Sequence, residues 1–545
     1  MGATMGICRI STLPILSVHS ARSVQERIRL KAFVITLQML FGQVFAINHA
    51  AFSQTSSTGA IVGAVLDISG RALPEAAVEV KAKDLAITRL TRCDSEGHFV
   101  FPLLPPGIYL VTAYKDGFSQ TQSIAVKVPV TESIQLAITM KVAGVTERVE
   151  VQAEASALQT ETAALGRVID TRAIQGLPLV TRNFTHIVDL SAGVLSGVNN
   201  AGELGVGSGG LSQIDPSNDG IFVHGLRSYD NSYEFDGVPV TDLQASSIAS
   251  GGVPIPNPDA IEEFKVQTGL YDASFGEHAG ASISLVTKSG TDTHHGSAFE
   301  FLRNDVLNAN DFFFNRTHKQ RPVLKQNQFG LTIGGPFRRN KLFYFGSYQG
   351  TRQTNGLASG QARLSCSASI VMPPLTDDRS QQALGGLFAG MTGAFGGTVI
   401  KPDGSNINPV ALQILNFKLP SGSYLIPTAQ AVNRSLPFES QGLSTLSVPC
   451  SFDEDQFLAN FDVNIPHDSR LSMRWLRSNG EMNVSFPGNG LNGTGNVAGF
   501  PSNIHNDFRV LSLSYMRFLK PRLLNEARFG YTRTLGSTSA QAPFQ

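Results

Sequence analysis

Apolar and polar residues alternate along the C-terminal half of the chain. In stretches such as 457–465, every second residue is apolar and the residues between them, apart from Leu458, are polar. A period of two places the apolar side chains of a strand on one face, so these stretches predict β-strands. The predicted strands number seven: 297–303, 328–334, 342–351, 457–465, 469–477, 511–515 and 528–532. The pattern is typical of a membrane barrel, but a soluble β-sandwich shares it, so the alternation alone leaves both open.

A second group of short strands lies earlier in the chain, where turn residues recur every few positions. The predicted strands are 60–66, 77–81, 87–92, 98–101 and 108–114. Turns rich in Gly, Pro and Asp separate them. Short strands at this spacing indicate a β-sandwich, which we expect to occupy residues 58–141.

The N-terminal residues have the order of a secretory signal. Four basic residues between positions 22 and 31 precede an apolar stretch at 32–47, and small residues follow at Ala50 and Ala51. We therefore predict a signal peptide over residues 1–51. The alternative is a membrane anchor, but the apolar stretch is short for a span and contains Gln38 and Gln43.

Composition narrows the class of protein. The chain has 545 residues, which indicates several domains, and its formal net charge is zero, which gives no reason to expect a nucleic-acid partner. Only 16% of the residues are charged, and Gly is abundant. No run of about 20 apolar residues follows the leader, so we expect no spanning helix there.

The predicted sandwich resembles the carboxypeptidase regulatory-like domain. The matching stretches are 73–80 (LPEAAVEV), 94–99 (DSEGHF) and 104–109 (LPPGIY), and Gly is absent from positions 75 and 76, where the family usually has one. The resemblance implies a transthyretin-like fold and a non-catalytic spacer or carbohydrate-binding-like module. A zinc peptidase needs closely spaced His and Glu ligands, and the chain contains neither H-x-x-E nor H-E-x-x-H.

Three blocks follow the sandwich, at 168–194, 221–240 and 258–291. In order and spacing they resemble the plug domain of TonB-dependent outer-membrane receptors, which implies a plug over residues 156–292. With the sandwich in front, the chain resembles the Oar-like branch of that family. It departs from the family at His224, where an Arg usually precedes Gly225, and at 180–181, where Asn-Gly is common.

The second block contains a hairpin turn at Asp236-Gly237. The plug-motif residues expected to matter are Arg227, Asp236, Gly237, Val238 and Pro239.

Two other parts of the plug attract attention. Glu262, Glu263 and Lys265 stand on a predicted strand, and we expect their charged side to meet a polar barrel lumen. The Gly-rich stretch 202–210 lacks the Lys-Ser/Thr ending of a phosphate loop, so we expect a flexible loop that reaches toward a ligand.

Residues 142–155 link the sandwich to the plug and resemble the position of a TonB box, the extended segment that adds as a strand to TonB. The box residues would be Glu147, Arg148, Val149, Glu150, Val151, Gln152 and Ala153. The resemblance implies TonB, with its inner-membrane energising complex, as the partner. The alternative is a plain linker strand.

The predicted barrel, residues 293–545, is expected to be incomplete. A plugged transporter barrel has about 22 strands, far more than the predicted seven, so we expect a fragment or a truncated gene product. A long insertion at 356–453 is expected to be an irregular extracellular loop, and Cys366 and Cys450 near its ends are a possible disulfide pair. We expect the acidic end of this insertion, 453–455, to be solvated, although binding of a cation is the alternative. We expect Cys93, in the sandwich, to be a buried small hydrophobic residue.

The predicted fold class is mainly β: a transthyretin-like β-sandwich, an α+β plug, and the N-terminal part of a transmembrane antiparallel β-barrel. The resemblance implies an outer-membrane receptor, with its N-terminal domains in the periplasm and its barrel in lipid, that imports a small-molecule, glycan or peptide ligand. The alternative is an adhesion or export protein that uses the same barrel without TonB. No catalytic constellation is visible, since pairs such as His186 and Asp189 meet no requirement of an active site, so we expect neither an enzyme nor a cofactor or metal.

Overall fold

A computed structural model describes Ala3–Thr4 (β1) and, with short gaps, residues 56–142, 164–196, 221–241, 256–356, 367–485 and 500–541. The predicted TonB box at 147–153, Cys366 and most of the predicted signal peptide lie outside the described residues. Among the helices that are described, none is long and apolar enough to cross a membrane.

The N-terminal domain is the predicted β-sandwich. Its strands are β2 (Gly59–Asp67), β3 (Ala77–Ala82), β4 (Thr88–Arg92), β5 (His98–Leu104), β6 (Gly107–Tyr114), β7 (Ile124–Val128) and β8 (Ser133–Met140). One sheet has the order β5-β2-β8 and the other β4-β3-β6-β7. Inward residues such as Val80, Phe101 and Val111 form one buried cluster between the sheets. Cys93 is free and buried in this cluster, as predicted.

The second domain is the plug, a small mixed sheet with two short helices. Its elements are β9 (Leu165–Asp170), α1 (Thr171–Gly176), α2 (Thr185–Val188), β10 (Val194–Ser196), β11 (Ile221–Val223), β12 (Ser232–Phe235), β13 (Val238–Pro239), β14 (Ile261–Gly269) and β15 (Ser282–Thr287). The main sheet has the order β13-β12-β15-β14-β9, and β10 pairs with β11 beside it. Asp170 begins α1, because its carboxylate accepts a hydrogen bond from the backbone N–H of Ala173.

The C-terminal part is one long antiparallel sheet interrupted by an insertion. Its strands in chain order are β16 (His295–Asn304), β17 (Leu324–Arg338), β18 (Leu342–Asn355), the inserted β19 (Ser367–Met372), β20 (Ala431–Val432) and β21 (Gly442–Ser447), then β22 (Cys450–Ile465), β23 (Ser469–Val484), β24 (Ser502–Lys520) and β25 (Leu523–Ala540). The sheet order is β1-β25-β24-β23-β22-β18-β17-β16. Each of the seven predicted strands lies within one of these long strands, which confirms the predicted fold class.

The two faces of this sheet resolve the alternatives that the alternation left open. Leu331 and Ile333 on the outer face are 48% and 50% exposed, whereas Gln328 and Asn460 on the inner face are 2% and 0% exposed. Exposed apolar residues with buried polar ones are the reverse of a water-soluble sandwich and fit a barrel wall between lipid and a polar lumen. Very short turns join β17 to β18, β22 to β23 and β24 to β25 at one end, which is the periplasmic end of such barrels.

The long insertion differs from the irregular loop that the sequence predicted. It contains a sheet of order β19-β21-β20 and two helices, α3 (Gln381–Phe388) and α4 (Pro409–Asn416). Leu384 of α3 and Met372 of β19 belong to a buried cluster of its own.

The acidic end of the insertion is also different from the prediction. Residues 453–455 do not end a loop, because β22 already begins at Cys450, although Asp453 is exposed as predicted. Asp455 accepts hydrogen bonds from the Arg352 guanidinium (2.9 Å) and the Tyr348 hydroxyl (2.7 Å) on the neighbouring strand. Asp455 is therefore part of the sheet and not of a loop, and these two partners on the neighbouring strand compensate the charge of its carboxylate.

Candidate functional site

An apolar layer joins the plug to the inner face of the barrel sheet. Register places Leu458, Leu476 and Val510 side by side on three neighbouring strands. These residues and Phe345 are buried in the same cluster as the plug core, which includes Phe264 on β14. Apolar packing therefore seals the plug against the wall.

A charged layer lies on the periplasmic side of this seal. Asp462 on β22 is fully buried and pairs with two cations of β23, Arg470 (3.1 Å) and Arg474 (3.0 Å). Arg474 also donates to the Ser289 hydroxyl at the end of the plug, 2.9 Å away. Two guanidinium groups on one carboxylate compensate the cost of burying it, and one of them reaches the plug.

The predicted hairpin turn of the plug stands in this layer. Asp236 (φ 46°) and Gly237 (φ 74°) both adopt the left-handed conformation, as a type I′ turn requires. The Asp236 carboxylate accepts hydrogen bonds from the backbone N–H (3.0 Å) and hydroxyl (2.7 Å) of Thr287, and burial raises its pKa. Asn460 of the barrel in turn donates to the Thr287 hydroxyl (2.7 Å) and the Lys288 carbonyl (2.8 Å). A chain of hydrogen bonds thus links the turn to β22.

The same turn contacts β25, the last strand of the sheet. The Arg528 guanidinium donates to the Gly237 carbonyl at 3.0 Å, and the Thr532 hydroxyl donates to the Pro239 carbonyl at 3.2 Å. Val238 is buried and lies against Gly530. Four of the five predicted plug-motif residues therefore lie at the barrel wall.

Arg182 attaches the other side of the plug to the barrel. Its guanidinium donates to the Asn257 side chain (2.8 Å) and the Asp259 carboxylate (2.6 Å) within the plug, and to the Gln349 side chain (3.0 Å) on β18. Its Cζ atom lies 4.1 Å from the ring centre of Phe299 and 4.6 Å from that of Phe301 on β16. The residue is 9% exposed and has φ of 54°, an uncommon backbone conformation for Arg.

The function of Arg182 was not foreseen from the sequence. It lies within the block 168–194, and its unusual φ and its aromatic partners depend on the tertiary fold. An Arg followed by Asn and Phe carries no local pattern that would single it out.

Other predicted residues are placed elsewhere. Arg227 is exposed on the turn after β11, where its backbone N–H bonds to the Asp230 carboxylate (3.0 Å). Cys450 is disulfide-bonded, while its predicted partner Cys366 is outside the described residues, so that pairing stays a prediction. Ser367, next in sequence to Cys366, pairs with Ser447 on β21.

The expectation that Glu263 and Lys265 face the barrel lumen is wrong. β14 presents Phe264 and Val266 to the plug core, and the opposite face contacts the β-sandwich instead. Lys265 lies 3.5 Å from the Glu132 carboxylate of the sandwich. The sequence pattern showed a charged face but could not show that another domain covers it.

A cavity of about 300 Å³ lies where sandwich, plug and barrel meet. Charged and hydroxyl groups from all three domains line it: Asp84, Asp236, Glu262, Arg474, Ser514 and Arg528 are among them. Within the described part of the chain, no group of three or more His, Cys, Asp or Glu residues could hold a metal ion.

Comparisons with known proteins agree with this architecture. Residues 286–545 match the model of the outer membrane beta barrel domain, and residues 60–141 that of the carboxypeptidase regulatory-like domain. The chain is 26% identical over 352 residues to the TonB-dependent transporter Oar of Myxococcus xanthus. This alignment covers 59% of the chain but only 29% of that transporter.

Among the solved structures to which the chain is similar are an outer membrane transporter and a ferric preacinetobactin receptor. The outer membrane transporter YddB from Escherichia coli is 12% identical, with a TM-score of 0.40, over 69% of this chain and 39% of that one. The ferric preacinetobactin receptor BauA from Acinetobacter baumannii is 9% identical, with a TM-score of 0.34, over 70% of this chain and 48% of that one.

The wall of the barrel has exposed apolar residues outside and buried polar residues inside, and the plug packs against it. Together with the two domain matches, these features define an outer-membrane β-barrel protein. The sandwich in front adds to the similarity to Oar. The chain therefore resembles a TonB-dependent receptor of the Oar type, although it spans less than a third of that transporter.

Proposed function

We propose that this protein is a TonB-dependent transporter that imports a ligand across the outer membrane into the periplasm. The observation that carries the proposal is the seating of the plug: a folded domain packs against the inner face of the barrel sheet. Its attachment to the wall combines an apolar seal with a small set of hydrogen bonds at Thr287, Gly237 and Arg182. A plug held in this way can be rearranged without unfolding the wall.

The partner in this proposal is TonB, with its inner-membrane energising complex. The segment between β8 and β9 contains the predicted TonB box, 147–153, and ends directly at the first plug strand. Since β9 is an edge strand of the plug sheet and, among the described strands, pairs with β14 alone, a pull from the periplasm acts on the strand that is most easily detached. The ligand is a small molecule, a glycan or a peptide, and no cofactor is needed because the partner supplies the energy.

A pull-down of the full-length chain with the C-terminal domain of TonB tests the proposal. Val149→Pro removes a backbone donor from the predicted box and should abolish strand addition. Val145→Pro is the matched control, because it makes the same change in the same linker before the box. We expect capture of the wild type and of Val145→Pro, and loss of capture with Val149→Pro. If the wild type is not captured, or both variants bind equally, the assignment of the box is refuted.

A second candidate function is adhesion or export through the same barrel. The folded insertion favours it, because it presents exposed apolar residues such as Val371, Val410 and Ile414 at the end of the sheet opposite the short turns. Exposed apolar clusters often mark contacts with another protein. A chain that does not bind TonB but attaches cells or a secreted protein through residues 367–449 would support this candidate instead.

A further inference from the structure

The β-sandwich is docked onto the outer face of the plug sheet through buried charged groups. The turn between β7 and β8 lies over β14. There the backbone N–H of Val130 donates to the Glu263 carboxylate, and the Lys265 ammonium lies 3.5 Å from the Glu132 carboxylate. Glu263 and Lys265 are 3% and 2% exposed. We call these contacts the clamp.

The clamp differs from the exposed ion pair beside it. Lys127 and Asp170 also join sandwich and plug, with a distance of 2.6 Å, but their side chains are 54% and 39% exposed. An exposed pair contributes little, whereas removing one partner of a buried pair leaves an uncompensated charge. The docking therefore depends on Lys265 and Glu132 far more than on Lys127.

The sandwich also rests on the periplasmic rim of the barrel sheet at separate points. The Asn464 side chain, at the end of β22, donates to the Ala86 carbonyl of the sandwich at 2.8 Å. The Arg89 guanidinium lies 4.6 Å from the ring centre of Phe518, near the end of β24. The Arg528 guanidinium on β25 donates to the Ser57 hydroxyl at 2.9 Å. The contacts thus involve three strands of the sheet, β22, β24 and β25.

Behind these contacts lies the cavity of about 300 Å³. Its walls include the plug turn at Asp236 and the barrel residues Arg474 and Ser514, and the sandwich closes its periplasmic side with Asp84 and Ile108. A ligand that passes between plug and wall at the turn would enter this cavity and meet the sandwich.

We propose that the β-sandwich is a periplasmic lid, held shut by the clamp and the rim contacts, which has to leave the rim before the path between plug and barrel opens to the periplasm. The lid has one covalent connection to the plug, through the segment that contains the predicted TonB box. The way in which the lid opens rests on the proposed function. A pull by TonB on that segment acts on the clamp and on β9 at the same time. The closed state itself rests only on the contacts of the described residues.

The test measures access to the cavity in the full-length chain. A cysteine is placed in the cavity wall by Ser514→Cys and labelled from the periplasm with a bulky maleimide. Ser69→Cys, on an exposed turn of the sandwich, gives the reference rate. Cys93 is buried and its raised pKa, about 11, disfavours the reactive thiolate, so the chain without the new cysteine serves as the blank.

Labelling of the cavity cysteine is compared in Lys265→Met, Glu132→Gln and the matched control Lys127→Ala. We expect the first two to raise labelling about tenfold or more, and Lys127→Ala to leave it within about twofold of the parent chain. Unchanged labelling in both clamp variants would overturn the proposal.

A cross-link separates departure of the lid from unfolding of the plug. A short bis-maleimide between Asn464→Cys and Ala86→Cys ties the sandwich to the rim, and in the tied chain Lys265→Met should no longer raise labelling. If labelling rises equally in the tied chain, the lid is not the barrier and the proposal fails. If the clamp variants open the cavity but Val149→Pro changes nothing in energised cells, the lid stands and TonB-driven opening is refuted.

Discussion

Removing the Arg182 side chain is expected to detach one side of the plug from the barrel. In Arg182→Met the plug loses the ion pair with Asp259 (2.6 Å), the bond to Gln349 (3.0 Å) and the stacking on Phe299 (4.1 Å). The pair is buried, with side-chain exposures of 9% and 17%. Breaking a buried pair costs about 3–5 kcal/mol, and a desolvated cation–π contact adds about 1–2 kcal/mol. Since the Asp259 carboxylate retains partial access to water, we take the lower figure, about 3 kcal/mol.

Hydrogen–deuterium exchange of the purified full-length chain measures this effect. A loss of about 3 kcal/mol raises the local opening constant by a factor of about 10². Faster exchange is expected for the amides around Asn257 and on β14, while β22 to β25 stay protected. Arg172→Met, an exposed Arg of α1, is the matched control and should exchange like the wild type. Exchange of Arg182→Met within about threefold of the wild type would refute the reasoning.

Three other changes have defined outcomes. Burial raises the pKa of Glu263 from 4.5 to about 8, so the docked state of the sandwich holds the proton more tightly than the undocked state. Docking is therefore strongest below pH 4.5 and weakens by up to about tenfold per pH unit as the pH rises toward 8. Energy transfer between dyes on the sandwich and the barrel measures docking, and Glu263→Gln should lose this pH dependence. Gly237→Ala places a Cβ against the Arg528 guanidinium at a residue whose φ is 74°. The backbone strain alone should destabilise the plug by about 1 kcal/mol or more, and proteolysis of the plug should become faster. Gly176→Ala, which has open space around it, is the control and should leave proteolysis unchanged. Tyr109→Phe removes the hydroxyl that donates to the Pro105 carbonyl at 2.8 Å. Urea unfolding should show that the free energy of unfolding of the sandwich falls by about 1 kcal/mol. An unchanged unfolding midpoint would mean that water replaces this hydrogen bond.

The barrel and the sandwich were readable from the sequence because their strands repeat a local pattern. An inner face of Gln, Asn and Ser opposite an outer face of Leu, Ile and Phe shows directly as alternation, and the turn at Asp236-Gly237 has a conformational requirement that few residues meet. Each of these features is decided by neighbours in sequence, so a single chain is enough to find it.

The contacts between domains could not be read in the same way. Glu263 and Lys265 form a charged face on β14, and whether it meets a lumen or another domain depends on residues more than a hundred positions away, such as Val130. The helices α3 and α4 of the insertion have eight residues each, too few for a helical period to stand out, although Ser380 and Asn408 cap them. The contacts of Arg182 could not be predicted from the sequence for the same reason, because its partners lie on distant strands.

Cross-linking in living cells tests TonB coupling most directly. The full-length chain with a single new cysteine at Val149 is expressed together with TonB that carries a cysteine in its C-terminal domain, and disulfide-linked complexes are measured with and without the inner-membrane proton gradient. The same cysteine at Val145, before the predicted box, is the control. A complex at position 149 that exceeds the one at 145 is the predicted result. Equal or absent complexes at both positions would contradict the account of this protein as a TonB-driven transporter.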